Sequence, residues 1–315
     1  MTWLTVAVLA VVAALLLREV LTVLRAEVPV DQRSTFVGKA APPCDATIPK
    51  VIWAYWHTSP APPFVQACLG NWRRFAPDHE VRLIDRASVA RWLPSLRPDF
   101  DSLPAYRQAD WLRIHLLTRH GGIWMDASTL LSRDLGWLHA ARDEAQAEYV
   151  GFYIGRYSTR PELPLIENWF MASVAGGRFA TALAAAFDRA LDDGAEPVLQ
   201  RLQDEGRRDR VVQALTEDFQ RYLLMHVAAA DILDRQPDLG RLVLLRAEDG
   251  PFAWLAQVGW RKRHLFARLA LTPAPRRLPA LVKLRGGDRT LAERNWLRGR
   301  MLQSSVLARL LGPTR

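Results

Sequence analysis

Two carboxylates and one guanidinium stand at spacings that suit a polar, many-hydroxyl ligand. Asp110 and Arg113 are three residues apart, and Asp126 follows Asp110 by sixteen. On a helix, positions i and i+3 share a face, so Asp110 and Arg113 either grip several hydroxyls of a sugar or form an ordinary intrahelical ion pair. Asp126 closes the apolar run Ile123-Trp124-Met125. A carboxylate in that position either holds a divalent cation against a pyrophosphate or caps a turn. Trp53, inside Val51-Ile52-Trp53-Ala54-Tyr55, offers an indole that can stack on a nucleotide base, with a place in the core as its bland alternative. Asn168-Trp169, a polar–aromatic pair in an apolar segment, suits the lining of an acceptor sugar site. His226 reads as a ligand, a hydrogen-bonding partner or, weighing most, a satisfied core histidine. His115 and His120 are five apart and share no helix face well enough to bind a metal together.

These residues need elements to position them. Helical spacing runs from about Tyr106 to His120 and stops at Gly121-Gly122, which hands over to the strand ending at Asp126. Val51–Tyr55, Glu80–Ile84 and Tyr149–Ile154 read as further strands, and Phe64–Phe75, Phe179–Leu191 and Arg210–Leu233 as helical. Such alternation predicts an α/β fold with a mostly parallel central sheet and crossover helices, whose ligands collect beyond the carboxyl ends of the strands. No repeat and no clearly separate second core is visible.

The chain has 315 residues, half of them apolar, which is enough for a sizeable core and excludes disorder. Its net charge of +9 is uneven: Trp260 to Arg315 carries 14 Lys/Arg against two acids, leaving residues 1–259 at −3. A basic tail points to an anionic partner such as acidic lipid or phosphate. It lacks the interleaved aromatic platforms that nucleic-acid binding would need, so no nucleic-acid partner is expected. Only Cys44 and Cys68 occur, which excludes a disulfide-rich scaffold. Trp3 to Leu17 is apolar apart from Thr5, and a helix extended to Leu24 is long enough to cross a membrane. A cleaved signal peptide is the rival, but no basic residue precedes the run. Arg18, Arg25, Arg33 and Lys39 follow it, so the positive-inside rule places the bulk of the chain in the cytoplasm, on the inner membrane. The expected organisation is an anchor over 1–25, a Pro-containing linker over 26–49, the main domain over 50–259, and a basic segment over 260–315 that completes or flanks it.

The order of the motifs carries a resemblance. "IPKVIWAYWH", "ACLGNWRRFAPDHEVRLID" and "QADWLRIHLLTRHGGIWMDASTLL" together resemble the capsular polysaccharide synthesis proteins, relatives of the DXD-type sugar transferases with a GT-A fold. "IENWFMAS", "YLLMH" and "LVKLR" look like later, weaker family segments. The resemblance implies a GT-A-like, hexosyltransferase-like enzyme that moves a sugar from a nucleoside diphosphate to a growing polysaccharide or lipid-linked glycan, with retention of configuration. It implies that Trp53 stacks on the base, that Asp110 and Arg113 hold the donor sugar, and that Asp126 is catalytic and the first acid of the metal motif, binding Mn or Mg. The triplet here is Asp126-Ala127-Ser128, with a hydroxyl in place of the second acid, which puts metal dependence in doubt. Lys283 or Arg285 could then supply charge to the departing diphosphate, both having a bland alternative in the general basicity of the tail, which weighs more for Arg285. The alternative function is a non-catalytic glycan-binding or assembly scaffold that keeps the fold.

Overall fold

Pro104 opens the helix Ala105–His120 and Gly121 ends it. Gly121 and Gly122 both have positive φ, +64° and +99°, and a Cβ on either would lie within 3 Å of backbone atoms, Ala175 N and Val51 O. Only glycine satisfies both demands, so the Gly-Gly pair fixes where the helix turns into the next strand. The structure, a computed structural model, describes residues 3–312. The outer ends of the expected anchor and basic segment, residues 1–2 and 313–315, lie outside the described residues.

Among the described residues there are nine strands: β1 Ser34–Val37, β2 Val51–Tyr55, β3 Glu80–Ile84, β4 Gly122–Met125, β5 Thr129–Leu131, β6 Tyr149–Tyr153, β7 Ile166–Ser173, β8 Leu242–Arg246 and β9 Leu281–Lys283. The chain divides into two compact units. The larger, Gln32–Ala127 with Arg133–Ala247, contains a seven-stranded sheet in the order β1-β8-β6-β7-β4-β2-β3. Five of these strands run one way, while β7 and β1 run against them. The mixed α/β, mostly parallel sheet expected from the sequence is therefore present. All four residues of β4 are buried, as a central strand covered on both faces requires. The helix Pro63–Phe75 makes the crossover from β2 to the parallel β3, burying Phe64, Leu69 and Trp72.

The expected linker over 26–49 is a correction. Ser34–Val37 is a sheet strand, antiparallel to β8 with Phe36 opposite Val243. Beyond it, Asp238 accepts from Ala40 N at 3.1 Å, Arg241 Nε donates to Ala41 O at 2.8 Å, and Arg142 Nη2 donates to Cys44 O at 2.5 Å. Backbone polar groups fastened this way do not behave as a free tether. The segment read as one helical stretch over 210–233 is three helices, Arg208–Val212, Glu217–Tyr222 and Leu224–Arg235.

The smaller unit comprises Met1–Asp31, Ser128–Ser132 and Glu248–Arg315, so the chain has a second compact unit that composition did not reveal. Its helix Trp3–Leu24 is long and apolar enough to cross a membrane by length and composition, with most of its apolar side chains exposed. The end of this helix is held by the basic segment. Glu19 pairs with Arg261 and, at 2.6 Å, with His264, and Arg268 Nε donates to Ala26 O at 2.8 Å. In the same unit β5 pairs antiparallel with β9, bringing Thr129 opposite Lys283.

Candidate functional site

The helix Ala105–His120 and strands β4 and β7 converge on one polar cluster in the larger unit. Asp110 and Arg113 are almost completely buried, and their i, i+3 spacing brings Arg113 Nη2 to 3.2 Å from Asp110 Oδ1. The same Nη2 stands 3.4 Å from Asp126 Oδ1, so one guanidinium joins both carboxylates. Arg113 Nη1 donates to the Asn168 carbonyl at 2.7 Å, and the Asn168 amide donates to Asp110 Oδ1 at 2.9 Å. The sequence reading did not single out Arg107, which closes the other side of Asp110: its Nη1 is 3.2 Å from Oδ2. The signal was present, since Arg107 precedes Asp110 by the same three residues by which Arg113 follows it.

Asp126 lies one residue beyond β4, its backbone N–H donating to Trp169 O at 2.9 Å. Its side chain retains 30% exposure against 9% for Asp110 and 5% for Arg113, so Asp126 is the more open of the two carboxylates. Trp124, two residues back on the same strand face, donates its Nε1 to Asp126 Oδ1 at 3.2 Å and lies under the Arg113 guanidinium, 5.1 Å from it. Burial pushes the Asp110 carboxyl above its usual range, against the opposing pull of Arg113 and Arg107. With two acids and two guanidiniums, the cluster is close to charge-balanced. Each acid is fixed in direction by its partners, and together they offer oriented acceptors and donors to a ligand rich in hydroxyls.

Several expectations are corrected. Trp53 is 1% exposed. Its Nε1 donates to Gly121 O at 2.9 Å, and its ring packs against Trp92, His120 and the Arg82 guanidinium, with centroid distances of 5.1, 5.5 and 4.9 Å. A nucleotide base would have to displace the half-buried Trp92, His120 and Arg82 side chains to reach the Trp53 ring. Trp169 is 3% exposed and stacks on Phe152 at 5.2 Å. Successive strand residues point to opposite faces, which is why Asn168 enters the carboxylate cluster while Trp169 enters the core; the two do not line one acceptor site. His226 is buried with Nε2 3.5 Å from Glu167 Oε2, while its Nδ1 has no hydrogen-bond partner, so it is a core histidine only half satisfied.

In the smaller unit Ser128 is buried, its hydroxyl donating to Leu284 O at 2.9 Å and facing Lys283 Nζ at 3.3 Å. Arg285 takes the structural alternative: its side chain and backbone N–H both bond Asp288 in a capping box that starts the helix Gly286–Trp296. Among the described residues no group of three or more His, Cys, Asp or Glu side chains could hold a metal ion. The one acid of the triplet, Asp126, already faces a guanidinium and an indole N–H, and the Ser128 hydroxyl is committed to Leu284.

Residues 31–189, half of the chain, match the model of the capsular polysaccharide synthesis protein family. The chain belongs to that family. Asp110, Arg113, Asp126, Asn168 and Trp124 of this family member all fall inside the matched segment. Its relatives include the O-glycosyltransferase braB of Annulohypoxylon truncatum, 32% identical over 171 residues, and the O-glycosyltransferase PaGT of Phomopsis amygdali, 30% identical over 141. The first match covers 48% of this chain and 40% of the relative, the second 39% and 34%. The glycosyltransferase afumC of Aspergillus fumigatus is 28% identical over 144 residues, 40% of this chain and 36% of that one. The chain thus spans well under half the length of these relatives. A solved structure, the PaToxG glycosyltransferase, overlaps 84% of this capsular-family chain and 90% of its own at 12% identity and a TM-score of 0.34.

Proposed function

We propose that this capsular-family protein is a glycosyltransferase that moves a sugar from a nucleoside-diphosphate sugar to a glycan or lipid-linked acceptor. The observation that carries the reading is Asp126: a partly open carboxylate at the carboxyl end of a central strand, tied through Arg113 to the buried Asp110. Relatives named as glycosyltransferases support the same class. Asp110, Asn168 and Arg113 hold the donor sugar by its hydroxyls, each kept in one orientation by the others, so that binding loses little side-chain freedom at the moment of reaction. Asp126, more open than Asp110 and Arg113, faces the reacting end of the donor.

The helix Trp3–Leu24 is the membrane span in this proposal, with the basic residues after it holding the rest of the chain on the cytoplasmic side. A reporter fused at the carboxyl end should be active only in the cytoplasm, and activity in an exported compartment overturns that topology. For the chemistry, the purified chain is incubated with a panel of nucleoside-diphosphate sugars, with and without saccharide acceptors, and nucleoside diphosphate release is followed. Asp126→Asn keeps the shape and removes the charge, so release should fall by two or more orders of magnitude in a protein that remains folded. Equal release by the variant, or none by a folded wild type from any donor, refutes the assignment.

A further inference from the structure

With Trp53 and Trp169 both in the core, the cluster lacks the aromatic surface that the sequence reading supplied, yet two rings stand open beside it. Tyr106 is 45% exposed and Tyr222 is 53% exposed, and their centroids are 5.4 Å apart at 41°. Tyr106 lies on the helix that carries the cluster, at i, i+4 and i+7 with Asp110 and Arg113, so the three share one face. Arg107 binds the parts into one surface. Its Nη1 faces Asp110, its Nη2 donates to the carbonyl of Arg221 at 2.7 Å, immediately before Tyr222, and its guanidinium lies 5.1 Å from the Tyr106 ring. The short helix Glu217–Tyr222 also presents Phe219, 38% exposed and edge-on to Tyr157 at 5.6 Å, one turn from Tyr222.

The chemistry separates this surface from the sugar grip next to it. A donor's diphosphate needs free cationic charge, and the Arg107 charge beside the rings is already committed to Asp110. What the two tyrosines offer is apolar ring face bounded by phenol hydroxyls, which matches a pyranose: C–H groups on the flat faces, hydroxyls around the edge. Burial, and then the negative charges of Asp110 and Asp126, hold the Tyr222 phenol above its ordinary titration range. It is thus a hydrogen-bond donor throughout the neutral range.

We propose that Tyr106 and Tyr222 form the acceptor subsite, a platform on which a carbohydrate ring lies flat next to the donor sugar held by the carboxylates. This rests on the glycosyltransferase reading above and adds the class of acceptor, a saccharide, and the residues that seat it. Full-length protein is assayed with whichever nucleoside-diphosphate sugar it turns over and with methyl α-D-glucopyranoside, methyl α-D-galactopyranoside and methyl α-D-mannopyranoside as acceptors. Tyr222→Ala should raise the acceptor KM about tenfold, and Tyr222→Phe should restore it to within about twofold, because the ring face is retained. Tyr106→Ala should shift the same constant in the same direction, which keeps the test alive if one variant folds poorly. An unchanged acceptor KM in both alanine variants overturns the proposal. So does an increase confined to the donor KM, which would make the rings part of the donor site. Saturation-transfer NMR with the same methyl glycosides needs no turnover: loss of saccharide signal in Tyr222→Ala supports the platform even if the wild type transfers nothing, whereas signal equal to wild type refutes it.

Discussion

Arg113→Lys is the substitution that tests the cluster most directly, because it keeps the charge and removes the geometry. The arginine side chain is 5% exposed and makes four polar contacts: to the carbonyls of Asn168 (2.7 Å) and Ala109 (3.2 Å), and to Asp110 (3.2 Å) and Asp126 (3.4 Å). A lysine there still neutralises Asp110, so no buried carboxylate is left uncompensated, but a single ammonium cannot span a strand carbonyl on one side and two carboxylates on the other. Losing two contacts at about 1.5 kcal/mol each, the lower end for hydrogen bonds to charged groups, predicts a stability loss of about 3 kcal/mol. The urea midpoint should fall with little change in slope. Asp126 also loses the group that aims it, and a loss of about 2.7 kcal/mol of transition-state stabilisation corresponds to a hundredfold fall in kcat/KM. Combining Arg113→Lys with Asp110→Asn should cost less than the sum of the two alone, as expected for residues sharing one network. A variant within about 0.5 kcal/mol of wild type that turns over donor normally would refute the reasoning, since the arginine would then be only an ordinary helix ion-pair partner.

Further outcomes follow from the same contacts. Trp53→Ala should destabilise the larger unit by about 3–5 kcal/mol, as large-to-small changes in a core do, without changing donor affinity in the folded fraction; a well-folded variant with weakened nucleotide binding would return Trp53 to the donor pocket. The raised carboxyl of Asp110 means the folded chain holds that proton more tightly than the unfolded chain, whose aspartates titrate near about 3.9. Its contribution to stability is therefore fully present below that pH and is lost as pH rises through the folded value. The stability difference between wild type and Asp110→Asn should change with pH in that window, and a difference flat from pH 3 to 7 contradicts the shift. Ser128→Asp should pair its new carboxylate with Lys283, whose Nζ already stands 3.3 Å from the hydroxyl, and should not create dependence on manganese or magnesium. Activity that a chelator abolishes in this variant alone would show that the triplet is a metal site lacking only its second acid.

What was legible in the sequence and what was not divides along physical lines. The grouping of Asp110, Arg113 and Asp126 was legible because their relation is local: a helix face, a Gly-Gly stop and a strand end are all written in adjacent residues. Pocket and core stayed alternatives for Trp53, and Trp169 was grouped with Asn168, because both indoles lie in strands covered on two faces, where alternation no longer separates pocket from core. β1 was read as linker because four residues are too few for a period, and its partner β8 lies some two hundred residues later. The triplet Asp126-Ala127-Ser128 was read as one metal motif through the family resemblance, whereas the Ser128 hydroxyl is committed to Leu284, 156 residues on. Tyr222 opens the family-like segment YLLMH, yet nothing local pairs it with Tyr106, since only the folded chain brings the two rings together.

The basic tail shows the same limit from the side of charge. Read as composition, the excess of Lys and Arg after Trp260 asked for an external anion, but part of it is answered inside the smaller unit. Arg261 and His264 hold Glu19, Arg268 holds the carbonyl of Ala26, and Arg285 caps a helix with Asp288. A count assigns every charge to solvent or to a partner, while a fold first spends charges on its own helix ends and acids. Only the cations left exposed, Lys262, Arg263, Arg276, Arg294, Arg298 and Arg300 among them, remain to meet an anionic surface. The same accounting bears on the cluster in the larger unit. Arg107 and Arg113 are engaged with acids and carbonyls that hold them in place, so their guanidiniums act by orienting Asp110 and Asp126, and a ligand read by those two carboxylates is recognised through its hydroxyl groups.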